Sequence, residues 1–196
     1  MKRTGLFLSL VVACLLLASC QTIRQIAQLQ NVHFDIDHVS NATLANVPID
    51  RVQSYGDLSA LDLARLGAAL AQGSLPLSFT LHLGAENPPD NNVQARLVQM
   101  DWTLFVQDHE TISGTFDQSL LLPPGQRTDV PIPIRLDLVD FFGQNLSDLV
   151  ELALAVSGHG GEPKDISVEA TPTVQTPLGP IRYPRPITIV ARSVGG

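Results

Sequence analysis

The stretch Leu75-Pro76-Leu77-Ser78-Phe79-Thr80-Leu81-His82-Leu83 decides the fold. Large apolar residues hold every odd position, and Pro, Ser, Thr and His hold the even ones. A period of two sends the odd side chains to one face of a pleated strand and the even ones to the other. That is the pattern of a sheet with one face on a core and one face in water. Wound as a helix, the same residues would spread leucines around the whole circumference and bury nothing cleanly.

The same period recurs on both sides of this stretch. Upstream, Val32, Phe34 and Ile36 alternate with His33, Asp35 and Asp37. Downstream, Val98, Met100, Trp102, Leu104 and Val106 make a third strand. Ile112, Gly114, Phe116, Leu120 and Leu122 share one parity in a fourth, with Gln118 as the exception. Val130, Ile132, Ile134, Leu136 and Leu138 make a fifth. Ile166, Val168 and Ala170, then Ile187, Ile189 and Ala191, give a sixth and a seventh. Turn residues separate them at Asn87-Pro88-Pro89-Asp90-Asn91, Asp108-His109-Glu110, Pro123-Pro124-Gly125 and Pro177-Leu178-Gly179-Pro180. Seven alternating strands with such turns point to a β-sandwich.

Two stretches depart from period two. Residues 57–72 carry Leu58, Leu61, Leu66 and Leu70 among alanines, with Asp57 placed to cap and Gly73 to stop. Residues 140–156 carry Phe141, Phe142, Leu146, Leu149, Val150 and Leu152. Both read as helices added to the sandwich. Pro131 and Pro133 constrain the fifth strand. Residues two apart present their N–H groups to the same side, and proline has none, so the strand is expected at a sheet edge.

The chain has 196 residues, 44% hydrophobic and 16% charged, with a net charge of -7. It has apolar surface enough to bury, which excludes intrinsic disorder. Its acidity excludes a polyanion such as nucleic acid as partner. Two cysteines, Cys14 and Cys20, cannot build a disulfide-stapled fold.

Lys2 and Arg3 precede an apolar run from Leu6 to Leu17, then Ala18, Ser19 and Cys20. This is the layout of a secretory signal peptide, and the run is short for a membrane-spanning helix. Leu17-Ala18-Ser19-Cys20 resembles the bacterial lipobox, in which cleavage precedes a lipidated cysteine. The expected organisation is a signal peptide at 1–19, a tether at 20–30 and a single domain at 31–194. A multiply acylated Cys20 would anchor the chain stably to a membrane. In lipoproteins of this kind an Asp after the cysteine favours the inner membrane. Gln21 stands here, so the expected location is the outer membrane, facing the periplasm.

The order Leu77–Leu83, Asn87-Pro88, Val98–Val106, Gly114, Leu122-Pro123-Pro124-Gly125 and Val130–Ile134 resembles the late embryogenesis abundant (LEA) type 2 family, or WHy domain. Thr176-Pro177-Leu178-Gly179-Pro180-Ile181 is similar to that family's closing segment. The resemblance covers residues 31–194. It implies a seven-stranded immunoglobulin/fibronectin III-like sandwich, no enzyme activity, no cofactor beyond the lipid, and a role in desiccation or osmotic stress. The helix at 57–72 and the lipid anchor depart from the plant pattern.

Candidate sites are sparse. His33, Asp35 and Asp37 share one strand face and could in principle offer an imidazole and two carboxylates to a metal, but a solvated strand face is the favoured reading. Asp90-Asn91-Asn92 could offer oxygens to calcium, yet lacks the spacing of a known loop. Asp108-His109-Glu110 reads as a hairpin tip, and His159 lies in the connector Ser157-Gly158-His159-Gly160-Gly161. Trp102 shares parity with four apolar neighbours and reads as core. Asn87-Pro88 reads as a strand end. No catalytic motif occurs in the sequence. Three roles fit: a protective envelope lipoprotein, an envelope scaffold or protein-binding module, and a carrier of lipid or another apolar ligand.

Overall fold

A computed structural model describes residues 32–91, 94–158, 160, 165–176 and 179–190. Cys20, the signal peptide, the tether, Asn92, His159 and Ala191 lie outside the described residues.

Among the described residues the chain is mostly β, with two antiparallel sheets and three helices. The strands are β1 (His33–Leu44), β2 (Val47–Pro48), β3 (Pro76–Asn87), β4 (Ala95–Val106), β5 (His109–Phe116), β6 (Leu120–Leu122), β7 (Gln126–Asp137), β8 (Ile166–Thr176), β9 (Gly179–Arg182) and β10 (Ile187–Val190). One sheet runs β2-β1-β3-β7. The other runs β10-β8-β4-β5, with β6 also on β4 and β9 also on β8.

The deciding stretch forms β3 as expected. Leu77, Phe79, Leu81 and Leu83 are all buried, and each such side chain contributes about 1.5–3 kcal/mol. β3 pairs with β7 without interruption from Pro76↔Asp137 to Asn87↔Gln126. Among the described residues β7 has no other strand partner in its sheet, so Pro131 and Pro133 sit at an edge there. One apolar core joins both sheets, including Leu81, Leu83, Ile132 and Ile134 from one and Met100, Trp102, Leu104 and Val168 from the other.

Several boundaries differ from the sequence reading. Ten strands, not seven, are present among the described residues: β2 and β9 are short strands the reading did not include, and the expected fourth strand divides. The expected fourth strand is two strands: Asp117, Gln118 and Ser119 interrupt it, and β5 and β6 pair separately with β4. The Gln118 exception marks that break. A register shift between Leu97 and Gln99 resets the parity of β4. Val98 is therefore half-buried, while Ala95 and Leu97 join the core. Leu138 is buried as read, but in the first turn of a helix beyond β7.

The helix expected at 57–72 is α1 (Ala60–Ala71), preceded by a 3₁₀ turn at Tyr55–Asp57. Ser59 caps α1, its hydroxyl accepting from the Asp62 N–H at 3.2 Å. Asp57 instead accepts from the Ser54 N–H at 2.9 Å and closes the 3₁₀ turn. Gly73 stops the helix at φ +78, with its N–H on the Leu70 carbonyl. The stretch 140–156 divides into α2 (Leu138–Phe141) and α3 (Leu146–Val156). Asn145 caps α3 through the Ser147 N–H at 3.0 Å. Every residue from Leu149 to Val156 except Glu151 is buried, so α3 is a core element rather than a surface cover. Among the described residues no helix is long and apolar enough to cross a membrane.

Candidate functional site

The outer face of the β2-β1-β3-β7 sheet carries a continuous polar network, which the pairing registers assemble from three strands. On β1, Asp35 and Asp37 do not face open solvent alone. Arg127 of β7 reaches across β3 and grips Asp35 with both arms, Nη1 to Oδ1 at 2.7 Å and Nη2 to Oδ2 at 2.6 Å. Its Nη2 also donates to Asp37 at 3.0 Å. This fork is the strongest form of carboxylate pairing. The His38 ring beside Asp37, and then Arg127, hold the Asp37 carboxyl below its usual range. Arg127 is raised in turn, chiefly by its bond to Asp35. His33 is exposed and outside the network. Among the described residues no three His, Cys, Asp or Glu side chains are placed to hold a metal.

The network continues through two histidines. A register shift between Ile36 and His38 turns His38 outward. Its ring stacks on that of His82, with centroids 4.2 Å apart and planes 6° from parallel. His82 Nδ1 lies 2.9 Å and 3.0 Å from the two carboxylate oxygens of Asp129 on β7. Its Nε2 lies 2.8 Å from the Ser40 hydroxyl on β1. A carboxylate can only accept, so Nδ1 carries the proton and Nε2 accepts from Ser40 Oγ. The Asn41 side-chain amide donates to the same Oγ at 3.2 Å. Asn41 has φ +56, in the left-handed region. Beside it runs an open groove of about 320 Å³, lined by Asn41, Ser78, Phe79, Thr80, Pro133, Ile134 and Arg135.

The outer face of the second sheet is different. A groove of about 460 Å³ is lined by Asp101, Thr103, Ser113, Thr115, Glu169, Thr171 and Arg182, among others. Asp101 accepts from Arg182, from Thr115 at 2.9 Å and from Gln99 at 3.2 Å, and these bonds hold its carboxyl below the usual range. Thr103 and Ser113 share a hydrogen bond at 2.9 Å.

The remaining sequence candidates are structural in setting. Asn87 ends β3 as read, and it is wholly buried. Its amide donates to the Leu122 carbonyl at 2.8 Å, its side-chain oxygen accepts from Asn91 at 2.7 Å, and its carbonyl accepts from the Gly125 N–H at 2.7 Å. It thus clasps β3 of one sheet to β6 of the other. Asn91 is buried against it, and Asp90 is exposed on the turn. Trp102 is 7% exposed and belongs to the core, as read. The hairpin tip is Gln107-Asp108, both at positive φ; His109 and Glu110 already belong to β5.

Ser40, His82, Asp129 and Arg127 were not legible as site residues. The hydrogen bonds that join them span 42, 47 and 92 residues of chain, and only the strand registers bring them together.

No protein-family model matches the chain, and no curated protein matches it. Solved structures are similar to it at a distance. The solution structure of a protein described as late embryogenesis abundant has 14% identity and a TM-score of 0.37, covering 94% of this chain and 85% of its own. A protein from Arabidopsis thaliana has 16% identity and a TM-score of 0.40, covering 59% and 68%. A protein from Archaeoglobus fulgidus has 11% identity and a TM-score of 0.33, covering 81% and 98%. At such scores none of these likenesses decides the fold or the function of this chain.

Proposed function

We propose that the chain is an envelope lipoprotein, anchored through lipid on Cys20, whose β-sandwich protects membranes or neighbouring proteins when water is lost. The observation that carries the reading is the ordered series of LEA type 2-like segments behind the lipobox-like Leu17-Ala18-Ser19-Cys20. The strand order supports the finer fold reading. The first, second and fifth long strands lie in one sheet, as β1-β3-β7, and the others in the second, as β10-β8-β4-β5. A seven-stranded immunoglobulin sandwich likewise keeps its first, second and fifth strands in one sheet and its third, sixth and seventh in the other, while its fourth strand lies with the former and here lies with the latter. The hydroxyls of Thr103, Ser113, Thr115 and Thr171 support the protective role, since an array of donors and acceptors can stand in for water against a drying neighbour. Protection of this kind needs no catalysis.

The test is a deletion strain dried or exposed to high salt, rescued by the wild type or by Cys20→Ala. The expected result is lower survival on deletion, with full rescue only by the lipidated form. Unchanged survival across both stresses sinks the protective reading. A Cys20→Ala chain that stays membrane-bound sinks the anchor.

A further inference from the structure

We propose that Ser40, His82 and Asp129 form an acyl-transfer site that hydrolyses small carboxylic esters, with the Asn41 amide as oxyanion donor. The inference goes beyond the protective reading and does not depend on it, because it rests on side-chain geometry on one sheet face.

The three roles of a serine hydrolase are met by distance and by proton inventory. Nucleophile to base is 2.8 Å, and base to orienting carboxylate is 2.9 Å. The carboxylate fixes the tautomer in which Nε2 is free to take the Ser40 proton. The His38 ring, parallel at 4.2 Å, holds the His82 plane. His82 is only 16% exposed, so its hydrogen bonds are partly shielded from water. The fourth part is Asn41, whose amide nitrogen lies 3.2 Å from Ser40 Oγ; to serve the oxyanion it must exchange that bond for one to the carbonyl oxygen beside Oγ.

The reaction balances with water as the only co-reactant. Ser40 Oγ attacks the ester carbonyl carbon as its proton passes to His82 Nε2. The carbonyl electron pair moves to oxygen and accepts from Asn41. Collapse of this adduct breaks the ester C–O bond, and His82 returns the proton to the departing alcohol. Water then attacks the acyl carbon with His82 again taking the proton, and release of the carboxylic acid restores the Ser40 hydroxyl.

The groove sets the substrate class. It is open and is lined by Asn41, the chain neighbour of Ser40, though not by Ser40 itself, so it suits a short acyl group held beside the serine rather than a long chain. Arg135 lines its far part and makes no ion pair or hydrogen bond among the described residues. An acyl group ending in a carboxylate fits that guanidinium. Asp129 is 56% exposed, so water screens its effect on the imidazole and turnover is slow.

The purified full-length protein is treated with a fluorophosphonate probe, and the adduct is mapped by mass spectrometry. Hydrolysis is followed with p-nitrophenyl acetate and with the p-nitrophenyl monoester of succinic acid. The expected adduct is on Ser40 and is absent from Ser40→Ala. Turnover falls to background in Ser40→Ala and by about a hundred-fold in His82→Gln. Arg135→Gln raises KM about ten-fold for the succinate ester and leaves acetate unchanged. An unlabelled Ser40 in the wild type, or turnover undiminished in a folded Ser40→Ala, overturns the proposal. The wild-type adduct map decides the matter even if a variant fails to fold.

Discussion

Gly114 lies directly beneath the Trp102 ring: a Cβ added at Gly114 would come to 2.4 Å from Trp102 Cζ2. The two residues face each other in the β4–β5 ladder. The indole is a rigid, buried ring, so it or the strand must shift to admit the methyl group. Gly114→Ala is therefore an overpacking change, expected to cost about 1–3 kcal/mol. Gly84 makes a useful contrast. Its added Cβ would meet the Arg127 guanidinium at 2.1 Å, but that is the far end of a long, partly exposed side chain that can move aside by giving up its bonds to Asp35 and Asp37. Gly84→Ala should cost only about 0.2–1 kcal/mol, through the displaced ion pair with Asp35. Urea unfolding of both variants checks the order; equal costs would refute it.

Asn87 holds the two sheets together through buried hydrogen bonds rather than apolar contact. Asn87→Ala removes the buried bonds to the Leu122 carbonyl and the Asn91 side chain, and should cost about 1–3 kcal/mol. Hydrogen exchange gives the sharper readout. Protection should fall first in β6 and the β6–β7 turn, not uniformly.

Asp137 sits where β7 becomes α2. Burial pushes its carboxyl up, but bonds from the Ser74 hydroxyl and the Leu75 and Val139 N–H groups outweigh this and hold it below the ordinary 3.8. A lowered folded pKa contributes stability above the unfolded value and loses it as pH falls through the folded one. Asp137→Asn should thus lower stability at neutral pH and flatten the loss on acidification below 3.8. Tyr183 works in the opposite direction: burial raises its phenol from 10.0 to about 12. Its contribution is complete below pH 10.0 and disappears as pH rises towards 12. Tyr183→Phe should remove that alkaline slope in a pH series of melting curves.

Pro131 and Pro133 withhold two donors from the free side of β7. Replacing both with threonine restores a row of N–H groups on an exposed edge. The expected outcome is concentration-dependent self-association, seen by light scattering, with little change in melting temperature. A monomeric double variant would show that the prolines guard nothing.

The legible parts of the fold are those written in local periodicity. Leu75 to Leu83 and Val130 to Leu136 have their own pattern, and both strands lie where it puts them. The errors arise where backbone irregularity breaks that pattern. The shift at Leu97/Gln99 moves Val98 off the core face, and Ser59 takes the capping role assigned to Asp57. The polar networks are a different case. Arg127 has no local feature that marks Asp35 as its partner, and Ser40 none that marks His82. Their association is a property of β1-β3-β7 pairing, which no window of sequence contains.

The uninterrupted β3–β7 ladder also sets a schedule for the newly made chain. β3 is complete at Asn87, yet its partner ends only at Asp137, after β4, β5 and β6 have been made. Through that interval one edge of β3, which carries Leu77, Phe79, Leu81 and Leu83, lacks its pairing partner. The β4–β5 hairpin, closed by a two-residue turn, can form locally in the meantime. During synthesis β3 therefore presents an unpaired edge until Asp137 emerges, and that edge is a site for mispairing in the interval.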